Sequence, residues 1–149
     1  MIRWLLAALH LLALGTGLGA IWARRLALRG ALDPAGLRRV FHADTWWGVS
    51  ALIWISTGLL RAFAGFEKGT QYYLQSHLFL TKMGLLIGIL LLEIAPMAAL
   101  IRWRVEAGRG NLPETRRAGT FARVSAIQTI LLLLMLIAAT GMARGYGGF

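Results

Sequence analysis

Cysteine is absent from this chain, which removes disulfides, thiolate metal sites and thiol catalysis together. Acidic side chains are scarce: six Asp and Glu stand against 16 Lys and Arg. There is no polar stretch long enough for a separate soluble domain. No glycine-rich phosphate loop lies in a strand–helix setting, so nothing points to nucleotide binding. Hydrolytic catalysis finds no base–nucleophile pair either.

What the chain does have is apolar length. Of its 149 residues 58% are hydrophobic, above the ~45–50% usual for soluble domains. Four stretches carry nearly all of that excess: 2–22, 46–66, 77–101 and 122–143. Each meets the requirement of about 20 mainly apolar residues for crossing a bilayer. The first, opened by Arg3, is longer than a signal-peptide core of about 7–15 residues and is expected to be retained. The expected fold is an all-α integral membrane protein: one transmembrane domain over 1–149, built as a four-helix bundle.

The formal charge of +10 is almost all arginine, since Lys68 and Lys82 are the only lysines. In a soluble chain such basicity would raise the question of nucleic acid. Here the charges flank the apolar stretches, and no nucleic acid is expected. Segment 23–45 holds Arg24, Arg25, Arg29, Arg38 and Arg39, and segment 102–123 holds Arg102, Arg104, Arg109, Arg116, Arg117 and Arg123. Segment 67–76 holds only Lys68. The positive-inside asymmetry places both Arg-rich loops in the cytoplasm and both termini outside, in a bacterial inner membrane. Trp22, Trp46, Trp47 and Trp103 then mark the inner interface, and Trp4, Tyr72, Tyr73 and Tyr146 the outer one.

Gly15-x-x-x-Gly19 and Gly84-x-x-x-Gly88 offer small faces for helix packing. Asp33-Pro34 reads as an N-cap followed by proline at the first helical position. It predicts a short interfacial helix in which Leu37, Val40 and Phe41 face inward while Arg38 and Arg39 meet anionic headgroups. His42 is expected there as a solvated interface residue. Residues 111–114, NLPE, read as a further helix start.

Residues 57–66, TGLLRAFAGF, and 140–149, TGMARGYGGF, share the pattern T-G-x-x-R-x-(F/Y)-x-G-F without a gap. Both close an outward-running stretch. The pattern suggests a duplicated two-helix hairpin, its halves related by an axis along the membrane normal. Arg61 and Arg144 occupy the same place in each copy. They either snorkel to water or converge on an anion, for which a guanidinium fork is suited.

An ionisable group inside a span costs several kcal/mol and is a candidate for function. Three qualify: His10, Lys82 and Glu93. At 1.5 Å rise per residue, His10 lies about 12 Å and Lys82 about 8 Å below the outer end. Glu93 lies about 16 Å deeper than Lys82, on nearly the same face. Its expected partners are Gln128, Ser125 and Ser50, and it serves either to fix helix register or to relay protons. His10 is either a hydrogen-bonded core histidine or an axial haem ligand of the kind helical bundles carry. His77 and His42 lie too far toward opposite boundaries to supply a second one.

The chain resembles a bacterial family of predicted membrane proteins, domain of unknown function 2214. The matching stretches are 4–22 (WLLAALHLLALGTGLGAIW), 43–48 (ADTWWG), Glu67-Lys68-Gly69, Lys82-Met83, Leu92-Glu93 with Pro96-Met97, and 142–145 (MARG). That resemblance implies no activity. More distantly, His10 in ALHLLAL and Lys82 in TKMGLLIGILLLE look like positions of the membrane protoporphyrinogen oxidase and copper-resistance D families. The oxidase resemblance implies haem b and porphyrinogen oxidation, although AIWARRLALRG departs from its pattern and the lysine comes early in its span.

Two functions follow as expectations. In one, the protein carries haem b in redox or porphyrin chemistry: His10 binds iron, Lys82 binds iron or a porphyrin carboxylate, and Arg61 and Arg144 pair with propionates. In the other, it is a non-enzymatic accessory or assembly subunit, embedded in lipid and packed against a larger membrane complex or a second copy of itself. Ion or proton transport through Lys82 and Glu93 is weaker, since transporters place their sites at broken helices.

Overall fold

A computed structural model of the chain describes residues 1–64 and 75–146. Four helices fill these segments: α1 (Ile2–Arg29), α2 (Pro34–Phe63), α3 (His77–Gly108) and α4 (Ala118–Ala143). They run up and down in turn, so the start of α1, the end of α2, the start of α3 and the end of α4 share one end of the bundle. The other end is rich in arginine. α1 packs closely along α2 and α4, and α4 packs along α3, whereas α2 and α3 scarcely meet.

Three helices, α1, α3 and α4, are long and apolar enough to cross a membrane. α2 is not among them, because Trp46, Trp47, Gly48, Ser50, Trp54, Ser56, Thr57 and Gly58 dilute its apolar residues. The bundle wears its apolar side chains outward: Leu52 is 69% exposed and Leu91 63%. Lipid tolerates such a surface, whereas water would not.

The expected apolar stretches 2–22, 77–101 and 122–143 lie in helix, as does 46–66 as far as Phe63, and at the arginine-rich end the helices run on past them. α1 carries Arg24, Arg25 and Arg29 within its last turns, and α3 carries Arg102 and Arg104. The expected interfacial helix and the second stretch are one continuous rod. Asp33 caps it by accepting a 2.7 Å bond from the Gly36 N–H, and Pro34 opens the first turn. Nothing after that turn breaks the helix, so it propagates. Residues 111–115 are not helical, and α4 starts only at Ala118.

The packing stripe of α1 also differs from expectation. Its buried residues are Ala13, Gly17, Ala20, Ile21, Arg24 and Leu28, a helical spacing that leaves Gly15 and Gly19 facing outward. A Cβ on Gly17 would lie 3.3 Å from the Ser50 Cβ, so this is the glycine that lets α1 and α2 close. Gly84 has open space around it, and Gly88 only ordinary contact with Leu131. Trp47 and Trp103 are core residues, 4% and 6% exposed, while Trp22 and Trp46 face outward. Tyr72 and Tyr73 lie outside the described residues.

The interior is layered. At the arginine-rich end Leu28, Leu37, Val40, Leu100, Trp103 and Phe121 form one apolar cluster. Next comes a polar layer centred on Arg24. A second apolar cluster, with Ile21, Trp47, Trp54, Ile89, Leu132 and Met135, separates that layer from a cavity near the chain ends.

Candidate functional site

The cavity has a volume of about 410 Å³ and is walled by all four helices. That lies within the ~300–1,000 Å³ of small-molecule sites. Its walls are mostly apolar, and three ionisable side chains reach it: His10 from α1, Arg61 from α2 and Lys82 from α3. Met83, Met135 and Met142 add pliable thioethers. The structure thus gathers three of the four residues expected around a cofactor. Arg144 is not in the wall; it is exposed, directly after the lining residue Ala143.

His10 is held firmly. Its Nδ1 lies 3.0 Å from the Trp54 carbonyl oxygen and 2.9 Å from the Thr57 hydroxyl. A carbonyl oxygen only accepts, so Nδ1 carries the proton. Thr57 Oγ1 sits 2.7 Å from the Ile53 carbonyl oxygen, to which it donates, and so offers a lone pair to Nδ1–H. The neutral imidazole is therefore the Nδ1–H tautomer, with its lone pair on Nε2. Trp54 stacks on the ring at 6.0 Å between centroids. Gly58 makes room for it, since a Cβ there would lie 3.0 Å from His10 Cε1.

These features fit an apolar-bodied small molecule with anionic groups. A ligating histidine usually donates its other N–H to a carbonyl or carboxylate, which fixes tautomer and ring orientation. His10 does so. Lys82 and Arg61 bring two cationic side chains to the wall. Among the described residues no three His, Cys, Asp or Glu side chains cluster as a metal site.

The polar layer nearer the arginine-rich end is separate. Arg24 is 0% exposed. Its Nη1 and Nη2 donate to the two Glu93 carboxylate oxygens at 2.7 and 2.9 Å. Nη1 also donates to Asp44 Oδ1 at 2.9 Å, Nη2 to Gln128 Oε1 at 3.0 Å, and Nε to Ser125 Oγ at 3.1 Å. Gln128 donates in turn to Glu93 Oε2 at 2.8 Å and to the Ile89 carbonyl at 3.2 Å. Asp44 Oδ2 accepts from Arg104 at 2.9 Å. Two arginines thus face two carboxylates, and among the described residues no buried side-chain polar atom lacks a partner. One guanidinium ties side chains from all four helices.

Gln128 is the partner of Glu93 that the sequence suggested; Ser125 reaches it only through Arg24, and Ser50 does not bond to it. The central residue, Arg24, escaped sequence reasoning because it counted as one more positive charge beside a helix end. A signal was present, for Arg24 continues the small-residue and apolar stripe Ala13, Gly17, Ala20, Ile21 at helical spacing. Asp44 lay in the ADTWWG stretch without an assigned role. His42 is exposed and accepts a 3.2 Å bond from Trp46 Nε1, as suits an interface residue.

No curated protein and no solved structure matches the chain, so the distant likeness to the oxidase and copper-resistance families rests on His10 and Lys82 alone. The profile of one family does match, over residues 2–147. The chain therefore belongs to the predicted membrane protein family DUF2214.

Proposed function

We propose that this protein binds haem b in the cavity beside His10 and acts in redox or porphyrin chemistry. The observation that carries the reading is the Nδ1–H of His10 bonded to the Trp54 carbonyl inside an apolar cavity that also receives Arg61 and Lys82. His10 Nε2 would ligate iron, and haem would supply one-electron chemistry there. Lys82 would bind iron or a porphyrin carboxylate. Arg61, with Arg144 next to the cavity wall, would pair with propionates. The apolar walls would exclude water from the macrocycle.

In this reading the chain spans a bacterial inner membrane four times, with its arginine-rich end in the cytoplasm and both termini outside. The clustering of Arg25, Arg29, Arg38, Arg39, Arg102, Arg109 and Arg116 at one end of the bundle supports that orientation. Glu93 and Gln128 take the register role rather than the relay. The fork from Arg24 satisfies them, and the apolar layer around Leu132 and Met135 stands between them and the cavity.

Detergent-purified protein supplied with haem, measured oxidised and dithionite-reduced and then as the pyridine haemochrome, tests the proposal. We expect a Soret band and b-type reduced peaks that His10→Ala abolishes. A featureless spectrum from monodisperse protein, or a full spectrum in His10→Ala, would overturn it. The accessory-subunit reading would then lead.

A further inference from the structure

The sequence repeat places Thr57-Gly58 and Thr140-Gly141 in equivalent positions, yet the two pairs meet different neighbours. Thr57 accepts from His10 Nδ1–H while donating to its own helix, and Gly58 leaves the space the imidazole fills. Thr140 donates to the Ile137 carbonyl at 2.8 Å and is exposed. A Cβ on Gly141 would meet only the end of the Leu78 side chain, at 3.2 Å. Where the first copy faces a histidine on α1, the second faces a leucine on α3.

We infer that Thr57 and Gly58 are positioning residues for His10, Thr57 setting the tilt of its ring and Gly58 its place, and that the second copy of the motif performs neither task. The repeat is therefore duplicated in sequence and single in chemistry: one helix pair carries a ligating nitrogen and the other does not. Thr57 matters because the Trp54 carbonyl alone fixes where Nδ1–H donates but not the tilt of the ring. A second acceptor at 2.9 Å on the same nitrogen closes that freedom. Gly58 matters because any side chain there pushes the ring from Trp54, on which it stacks. Only the haem-dependent part of this inference rests on the proposed function.

The test uses the full chain in detergent, labelled with 15N-histidine, in wild type and in Thr57→Val, Gly58→Ala, Thr140→Val and Gly141→Ala. His10 is assigned by the signals lost in His10→Ala. We expect wild-type His10 to show a protonated Nδ1 and an unprotonated Nε2. Thr57→Val should shift the Nδ1 signal while leaving its proton in place, and Gly58→Ala should shift both nitrogens; the Thr140 and Gly141 variants should match wild type. With haem supplied, Thr57→Val should weaken its retention about 10-fold and move the midpoint potential, whereas Gly141→Ala should do neither. A protonated Nε2 in wild type, or a Thr57→Val spectrum identical to wild type, would overturn the inference. Protein that takes up no haem would remove the proposed function and leave the nitrogen spectra to decide on Thr57 by themselves.

Discussion

Arg24 and Glu93, 69 residues apart, face each other through two parallel hydrogen bonds of 2.7 and 2.9 Å in the interior of the bundle. Such a fork combines charge with planar geometry and fixes the rotation of α1 against α3. Removing one partner leaves a buried charge uncompensated, at about 3–5 kcal/mol. Arg24→Met should fall in that range in denaturant titration of the detergent-solubilised protein, and Glu93→Gln should cost less, because Arg24 keeps Asp44. The double variant Arg24→Met/Glu93→Met should cost clearly less than the sum, because Asp44 keeps Arg104 as its partner. Strictly additive losses would contradict the coupling.

Burial should separate the two arginines on Asp44. Arg24 reaches Oδ1 from the core, while the Arg104 side chain, on Oδ2, is 36% exposed. An ion pair open to solvent contributes about 0–1 kcal/mol. Arg104→Met should therefore lower the thermal midpoint only slightly, and Arg24→Met should lower it severely. Equal effects would place the burden on charge alone rather than on desolvation.

The glycines of α1 give a sharper comparison. Gly17→Leu must push Trp47 and Ser50 away from α1, and overpacking of this kind costs about 1–3 kcal/mol. Gly15→Leu and Gly19→Leu enter open space and should be neutral or mildly stabilising, since leucine is the better helix former. Unfolding midpoints of the three variants would decide it, and a destabilised Gly19→Leu would place the packing stripe elsewhere.

The start of α2 should be sensitive at two positions for different reasons. Asp33→Ala loses the cap to the Gly36 N–H, worth about 1 kcal/mol. Gly36→Ala drives its Cβ onto the Ala31 carbonyl oxygen, so the turn between α1 and α2 must move. Hydrogen exchange in residues 30–40 should rise in both variants, and more in Gly36→Ala. Unchanged protection in Gly36→Ala would mean that the turn has another conformation open to it.

The positions where apolar length begins were legible. His77 starts α3 and Ala143 ends α4 where the hydrophobic runs do, because a bilayer core demands about 20 apolar residues and leaves that demand in composition. The pairing of His10 with Lys82 followed from depth counted at a fixed rise per residue, and Arg61 was singled out by the repeated motif. The faces were less legible. In a chain apolar on all sides, the contrast between an inward and an outward leucine is faint, so Gly15 and Gly19 were indistinguishable in kind from Gly17.

By itself, the sequence determined a membrane-embedded, all-helical chain with most of its arginines in two segments and three ionisable groups within its apolar stretches. These are one-dimensional quantities, set by counting apolar residues and charges along the chain. Only the tertiary structure decided that Arg24 turns inward to Glu93 and Asp44, that Thr57 rather than Thr140 meets a histidine, and which glycine lets two helices touch. Those facts depend on the rotation of each helix about its axis. In lipid that angle is fixed by side-chain fit and hydrogen bonding between helices rather than by the hydrophobic pattern.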